Sequence, residues 1–418
     1  MAEKVIKSYK GFDSSLSCRN FQYEVGKEYE MDGRIECCKR GFHACESPLE
    51  VFDHYDMLKS RFAEVEQSGT IDREEDSTKV CSSRIKIKAE LKLADIINIG
   101  VEWLKDITSP SKVKTDSSLI DNGERKKQIG SIGDYAQIGS SGDSAQIGSS
   151  GNSAKIGSSG NSAKIGSSGD SAQIGSIGDY AQIGSSGNYA QIGSSGNSAK
   201  IGSSGDYAKI GSSGDSAKIG SIGDYAKIGS SGDYAQIGSS GNSAQIGSSG
   251  NSAKIGSSGN SAKIGSSGDS AQIGSIGDSA QIGSSGNSAK IGSIGDYAKI
   301  GSSGDYAKIG SSGDYAQIGS SGDYAQIGSS GNSAKIGSIG DYAEIDSTGA
   351  DTVIMCAGYK SKAKAKIGSW ITLSEWVYNE EKGRYVPVCV KTEYVDGENI
   401  KADTYYQLID GVFTEVNE

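Results

Sequence analysis

Between Ile129 and Ile345 the chain repeats one nine-residue unit, I-G-S-[S/I]-G-[D/N]-[Y/S]-A-[K/Q], in 24 copies without an insertion. A period this strict excludes most folds, because a core built from near-identical segments must itself repeat. Within one copy, Tyr306-Ala307-Lys308-Ile309-Gly310 puts Ala and Ile on one side and Tyr, Lys and Gly on the other, which predicts a half-buried strand. Ser311-Ser312-Gly313-Asp314 supplies turn chemistry: a glycine for positive φ and an acid able to close on its own backbone. One Ala and one Ile cannot form a core alone, so the copies must stack. Glycine and serine in such amounts would otherwise suggest a flexible linker. A linker, however, keeps no isoleucine in register.

Stacking admits two closures, two strands per 18-residue coil or three per 27-residue coil. In a parallel stack, like charges on adjacent coils sit about 4.8 Å apart and repel. Lys follows Lys in the ninth position seven times at a lag of one copy, four times at three and three times at two. Asp follows Asp nine, seven and six times at lags of one, three and two. Both minima fall at two copies, which favours a β-roll-like parallel β-solenoid with 18-residue coils. Twelve regular coils then stack over about 58 Å at about 4.8 Å each. Degenerate copies that begin at Ile120 and Ile345 read as caps that blunt the exposed ends. Isoleucine replaces the second turn serine at 132, 177, 222, 276, 294 and 339, where it either adds core, the preferred reading, or offers an apolar step on the turn edge.

The repeat limits its own functional readings. It is similar to calcium-binding RTX repeats in period, but its second glycine is serine, its acid falls one position early, and nine of 24 copies carry Asn. A hard cation loses charge at each of those copies. The repeats contain no Thr, which argues against a regular ice-binding face. Fifteen Asp and one Glu against 12 Lys leave −4 across the array, far sparser than the one charge per about 1.7 Å of duplex DNA. The outward tyrosines, with Tyr207, Tyr225, Tyr234, Tyr297, Tyr306, Tyr315 and Tyr324 as the chosen candidates, can stack on a sugar or grip a protein surface.

The chain divides into four regions: a small α+β N-terminal domain (1–107), a linker (108–119), the solenoid with its caps (120–354) and a C-terminal β meander (355–418). Residues 84–91 alternate as a strand, and LADIINIGVEWL at 93–104 has helical spacing. SWITLSEWVY, RYVPVCVKTEYV and DTYYQLIDGVFTEV alternate as meander strands whose plainest task is to seal the stack. The net charge of −10 argues against a nucleic-acid-coating protein, and no apolar run is long enough for a membrane span. MAEKVIKSYKGF carries no apolar signal core. Seven unevenly spaced cysteines point to a reducing cytosol rather than a disulfide framework.

GFDSSLSCRNFQYEVGKEYE, CCKRGFHACESPLEVFDHYD and RFAEVEQSGTI, with the motif G-F-H-x-C-x-x-P-L from Gly41 to Leu49, resemble an uncharacterised bacteriophage and prophage domain family. That family often precedes a glycine-serine solenoid, and AKIGSWITLSEW resembles the segment found after such arrays. The resemblance implies a phage association and no established activity. Cys37, Cys38, His43 and Cys45, with Cys18, offer soft ligands but lack paired C-x2-C spacing, so no metal and no cofactor is assigned. YEVGKEY before GFHAC is similar to the central strands of ADP-ribosyltransferase-type folds; that likeness implies a nucleotide-dependent transferase, with Glu64 or Glu66 as its acid. His43 and His54 are the only histidines, and no catalytic set assembles from spacing.

The expected function is therefore non-enzymatic: a rigid solenoid that spaces or presents terminal interaction domains. The alternatives are a counter-defence factor that inhibits or sequesters a host protein or ligand, and the transferase with a solenoid arm. A host or phage protein is the expected partner, a glycan the second candidate, and the C-terminal region a place for oligomerisation. Neither membrane nor nucleic acid is expected, and the expected location is the host cytoplasm, with virion association as a second place.

Overall fold

A computed structural model describes residues 5–48, 51, 54–55, 60–74, 78–91, 95–96, 99, 118–120, 128–131 and 133–417. The architecture is mainly β: a small N-terminal β domain, a parallel β-solenoid of about 14 turns of roughly 18 residues, and a C-terminal strand meander. Two compact units divide it, one of residues 1–219 with 227–231 and the other of 220–226 with 232–418.

In the first unit, the N-terminal domain has seven strands among its described residues: β1 (Ile6–Phe12), β2 (Ser17–Cys18), β3 (Phe21–Gln22), β4 (Glu28–Glu30), β5 (Phe42–Cys45), β6 (Arg61–Arg73) and β7 (Lys79–Leu91). The larger sheet runs β4-β7-β5-β1-β6, and β6 also pairs with β7, so the ring of strands closes on itself. β6 and β7 reach 13 residues each because apolar and polar residues alternate along both, as in Arg84-Ile85-Lys86-Ile87-Lys88. Phe12, Phe42, Ala44, Val65, Ile85 and Ile87 fill the interior. The named elements of this domain are strands, and Asp95, Ile96 and Ile99 have helical backbone. The helix expected at 93–104 lies outside the described residues except for Asp95, Ile96 and Ile99.

The solenoid register is 18 residues in both units. Gln137, Ile138, Gly139 and Ser140 pair with Lys155, Ile156, Gly157 and Ser158 in the first; Lys299, Ile300, Gly301 and Ser302 pair with Gln317, Ile318, Gly319 and Ser320 in the second. Every described Ala and Ile at the two core positions of the repeat is buried. The first serine of each turn joins that core; Ser302 and Ser311, for example, are buried.

The strand itself is shifted from the expected frame. It runs Lys308–Ser311 rather than 306–310, so Tyr306 belongs to the turn. In Gly178-Asp179-Tyr180-Ala181 the Tyr180 amide donates back to the Asn161 carbonyl (2.8 Å), and Ala181 closes on Gly178 (3.2 Å). In Gly304-Asp305-Tyr306-Ala307 the peptide is flipped: Tyr306 has φ 57° and its amide donates forward to the Asp323 carbonyl (2.8 Å). One repeat sequence thus supports two turn conformations, each with its amide satisfied by a neighbouring coil.

Where the peptide is flipped, the preceding acid finds a fixed task. Asp305 Oδ1 accepts from the Asp323 amide (3.0 Å), Asp323 Oδ1 from Asp341 (2.7 Å) and Asn332 Oδ1 from Ala350 (2.9 Å). The position needs an acceptor oxygen on a short stem, and Asn supplies it as well as Asp. Asp323→Asn is therefore expected to shift stability by less than about 0.5 kcal/mol. Asp323→Ala should cost about 1 kcal/mol and speed hydrogen exchange at the Asp341 amide. Equal exchange at Asp341 in both variants would remove the ladder from the account.

The substituted isoleucines do not enlarge the core. Ile222, Ile276, Ile294 and Ile339 are 58–70% exposed, because the strand shift puts the fourth repeat position outside the coil. Ile177 is half-buried, and Ile132 lies outside the described residues.

Parallel stacking continues beyond residue 354. Val353–Cys356 pairs with Lys335–Ser338, and Lys362–Lys364 pairs with Glu344–Asp346. Two antiparallel hairpins end the two sheets, Trp370–Asn379 with Arg384–Tyr394 and Tyr405–Ile409 with Val412–Val416. Pro387 and Lys391 on the outermost strand of the first hairpin discourage a further strand from pairing.

Candidate functional site

β1 is the least ordinary strand of the N-terminal domain, since six of its seven residues are buried in the pattern BeBBBBB. One of those six is charged. Lys10 is 3% exposed, and its Nζ donates to the His43 carbonyl (3.0 Å), to Tyr55 Oη (3.2 Å) and to Cys18 Sγ (3.6 Å). Cys18 Sγ and Tyr55 Oη are also 3.1 Å apart. The ammonium lies 5.5–5.8 Å from the ring centroids of Phe12, Tyr23 and Tyr55, a distance at which aromatic faces attract a cation. Burial pulls the Lys10 pKa below 10.5, with the Cys18 sulfur acting in the opposite direction.

A cavity of about 890 Å³ opens onto this lysine. Phe12, Phe21, Tyr23 and Phe42 form one wall, locked edge to face at centroid distances of 4.8 Å for Phe21 and Tyr23 and 5.2 Å for Phe12 and Tyr23. Lys10, Arg19 and Lys79 give the lining its positive charge. Asp13 is the one acid among the lining residues, and its Oδ1 is taken by the amides of Ser15 (2.9 Å) and Ser17 (2.7 Å). His43 sits between the cations: burial first, then the charges of Lys10 and Lys79, lower its pKa to about 4. The imidazole is neutral at pH 7. An apolar concavity with a few convergent polar groups is the general form of a small-molecule site.

The other candidate residues are distributed differently. Glu64 pairs with Lys7 (2.8 Å) and Glu66 with Lys88 (2.9 Å), and neither lines the cavity. Cys45 packs in a core cluster with Tyr9, Val51, Phe62 and Ile96, while Cys18 faces Lys10. Cys37 and Cys38 lie in a tight loop in which the Lys39 and Arg40 amides both donate to the Glu36 carbonyl. The five soft ligands named from sequence therefore do not converge as one set.

All seven candidate tyrosines are 45–64% exposed and sit at turn edges. In the first unit Tyr189 stacks on Tyr207 at 5.4 Å. In the second, Tyr297 stacks on Tyr315 at 5.2 Å, and Tyr306, Tyr324 and Tyr342 form a continuous stack at 5.1 and 4.9 Å. Tyr225 and Tyr234 are exposed on the turns of the second unit. No sequence signal flagged Lys10; SYKGF reads as an alternating strand with its lysine in water, and only closure of the sheet buries that position.

Residues 6–99 match a family model described as a domain of unknown function, DUF7666. No curated protein and no solved structure matches the chain. Among the described residues no helix is long and apolar enough to cross a membrane.

Proposed function

We propose that this is a phage-type binding protein in which the solenoid presents or spaces terminal interaction domains, and whose N-terminal β domain takes up a small aromatic anion of nucleotide type. The supporting observation is the cavity, whose lining joins the rings of Phe12, Phe21, Tyr23 and Phe42 to the cations Lys10, Arg19 and Lys79. A planar ring fits the aromatic lining and a phosphate or carboxylate the cations. Sequestering such a ligand in a host cell is the counter-defence form of the same activity. Asp13, the one acid among the lining residues, is held by the Ser15 and Ser17 amides rather than poised as a general base. The stacked tyrosines on the turn edges are the surface offered to a protein or glycan partner.

The test is calorimetric titration of the full chain with a panel of nucleoside mono-, di- and triphosphates and their cyclic forms. One of these is expected to bind at one site per chain, weakening as salt is raised. Arg19→Glu should lose that binding. A variant with Tyr306, Tyr324 and Tyr342 all changed to Ser should bind unchanged, because its substitutions lie on the solenoid. No binding across the panel, or loss only in the tyrosine variant, sinks the assignment to the cavity.

A further inference from the structure

A second group of side chains, beside that cavity, carries a different chemistry. His43 on β5 is the cross-strand partner of Cys81 on β7, and Cys81 is in turn paired with Asp72 on β6. The loop before β5 brings Cys37 to the same place, its amide donating to Asp72 Oδ2 at 2.7 Å. As a result the sulfurs of Cys37 and Cys81 and one imidazole nitrogen of His43 all lie within 4.8 Å of one another. The chain opens room for this approach. A side chain at Gly41, whose φ is 136°, would overlap Cys81 Sγ.

We propose that Cys37, His43 and Cys81 form a binding site for a thiophilic divalent cation of the zinc class, with its fourth position open to water or an exogenous ligand. Two thiols and an imidazole are the donor set that zinc prefers over the hard cations. Ideal bonds of about 2.3 Å to sulfur and about 2.0 Å to nitrogen put tetrahedral ligands about 3.5–3.8 Å apart. Small side-chain rotations close the difference. Asp72 supplies an outer support by holding the Cys37 amide. His43 Nε2 now accepts from the Cys38 amide at 3.0 Å, which puts the ring proton on Nδ1. Metal entry exchanges that amide for the cation, and both thiols release their protons to solvent as the thiolates bind. The inference does not rest on the nucleotide reading: His43 also lines that cavity, but the anion is assigned to Lys10, Arg19 and Lys79.

The experiment uses the full chain, kept reduced, stripped with a chelator and titrated with cobalt(II) as the optical probe. One cobalt per chain is expected, with a thiolate-to-cobalt charge-transfer band and tetrahedral visible absorption, both erased by zinc. Cys37→Ser and Cys81→Ala should each weaken binding by about two orders of magnitude or more, while Cys389→Ser leaves it intact. Circular dichroism of the solenoid and a titration of the unsubstituted chain guard against misfolded variants. A folded wild-type chain without the charge-transfer band overturns the proposal, as does a band that survives Cys81→Ala. A Cys37–Cys81 disulfide that dissolved oxygen forms on removal of the reductant, in a chain that bound no metal while reduced, also overturns it and makes the pair a redox couple.

Discussion

Gly304→Ala is expected to unfold the coils on either side of it, whereas Gly301→Ala, three residues earlier in the same repeat, leaves them intact. The two glycines look alike in the sequence and differ in space. A Cβ at Gly301 would meet nothing within 4 Å. At Gly304 it would overlap the carbonyl of Gly286 in the preceding coil and lie 3.0 Å from Asn287 Cα. That neighbour is backbone, held at coil spacing by ladders on both sides, so it cannot turn away as a side chain would. The expected cost is about 3 kcal/mol or more. In a stacked array it spreads to the neighbouring coils, because each is stabilised by its contacts. Ala at 301 should be neutral or slightly stabilising, since glycine in a strand interior holds its conformation at an entropic cost. Urea unfolding with hydrogen exchange at Ile300 and Ile318 would separate the two. Equal stability of both variants would mean that coil spacing is looser than the carbonyl contact implies.

The same contrast shows what was legible beforehand. The 18-residue coil was readable because charge avoidance at two-copy lag records a contact in space: Lys155 does lie opposite Gln137, and Lys335 opposite Gln317. The strand frame was not readable to the residue. Alternation alone fits Tyr306–Gly310 as well as Lys308–Ser311, and it cannot foresee that a tyrosine will adopt φ 57° because a flipped peptide finds its acceptor in the next coil. That shift also turned Ile294 and Ile339 outward. The meander was legible as alternating strands, except that DTYYQLIDGVFTEV forms two, Tyr405–Ile409 and Val412–Val416, rather than one. The N-terminal site was legible only in fragments. His43 stood out as one of two histidines, but Cys81 lies 38 positions later and meets it through strand pairing, which spacing rules do not see.

Lys10→Met is expected to retain or raise stability, by up to about 2 kcal/mol, while abolishing ligand binding. Methionine fills nearly the same volume without a charge. It gives up the bond to the His43 carbonyl, but Tyr55 and Cys18 keep each other as partners at 3.1 Å. The pH dependence is set by the direction of the shift. Burial lowers the folded Lys10 pKa below the unfolded value of 10.5, so the unfolded chain binds the extra proton between the two. Stability from this group is present above 10.5 and lost as pH falls through the folded pKa. The wild-type chain therefore bears the cost at neutral pH, and the advantage of Lys10→Met should narrow as pH rises towards 10.5. Denaturation midpoints of both chains across that range, with nucleotide titration at neutral pH, test the two halves together. A clear loss of stability in Lys10→Met would make the lysine a structural tie, held by Phe12, Tyr23 and Tyr55 for the sake of the fold. Retained stability with lost binding is the pattern of a site maintained against the preference of the core, since three hydrogen-bond partners and three rings then hold a charge that folding does not need.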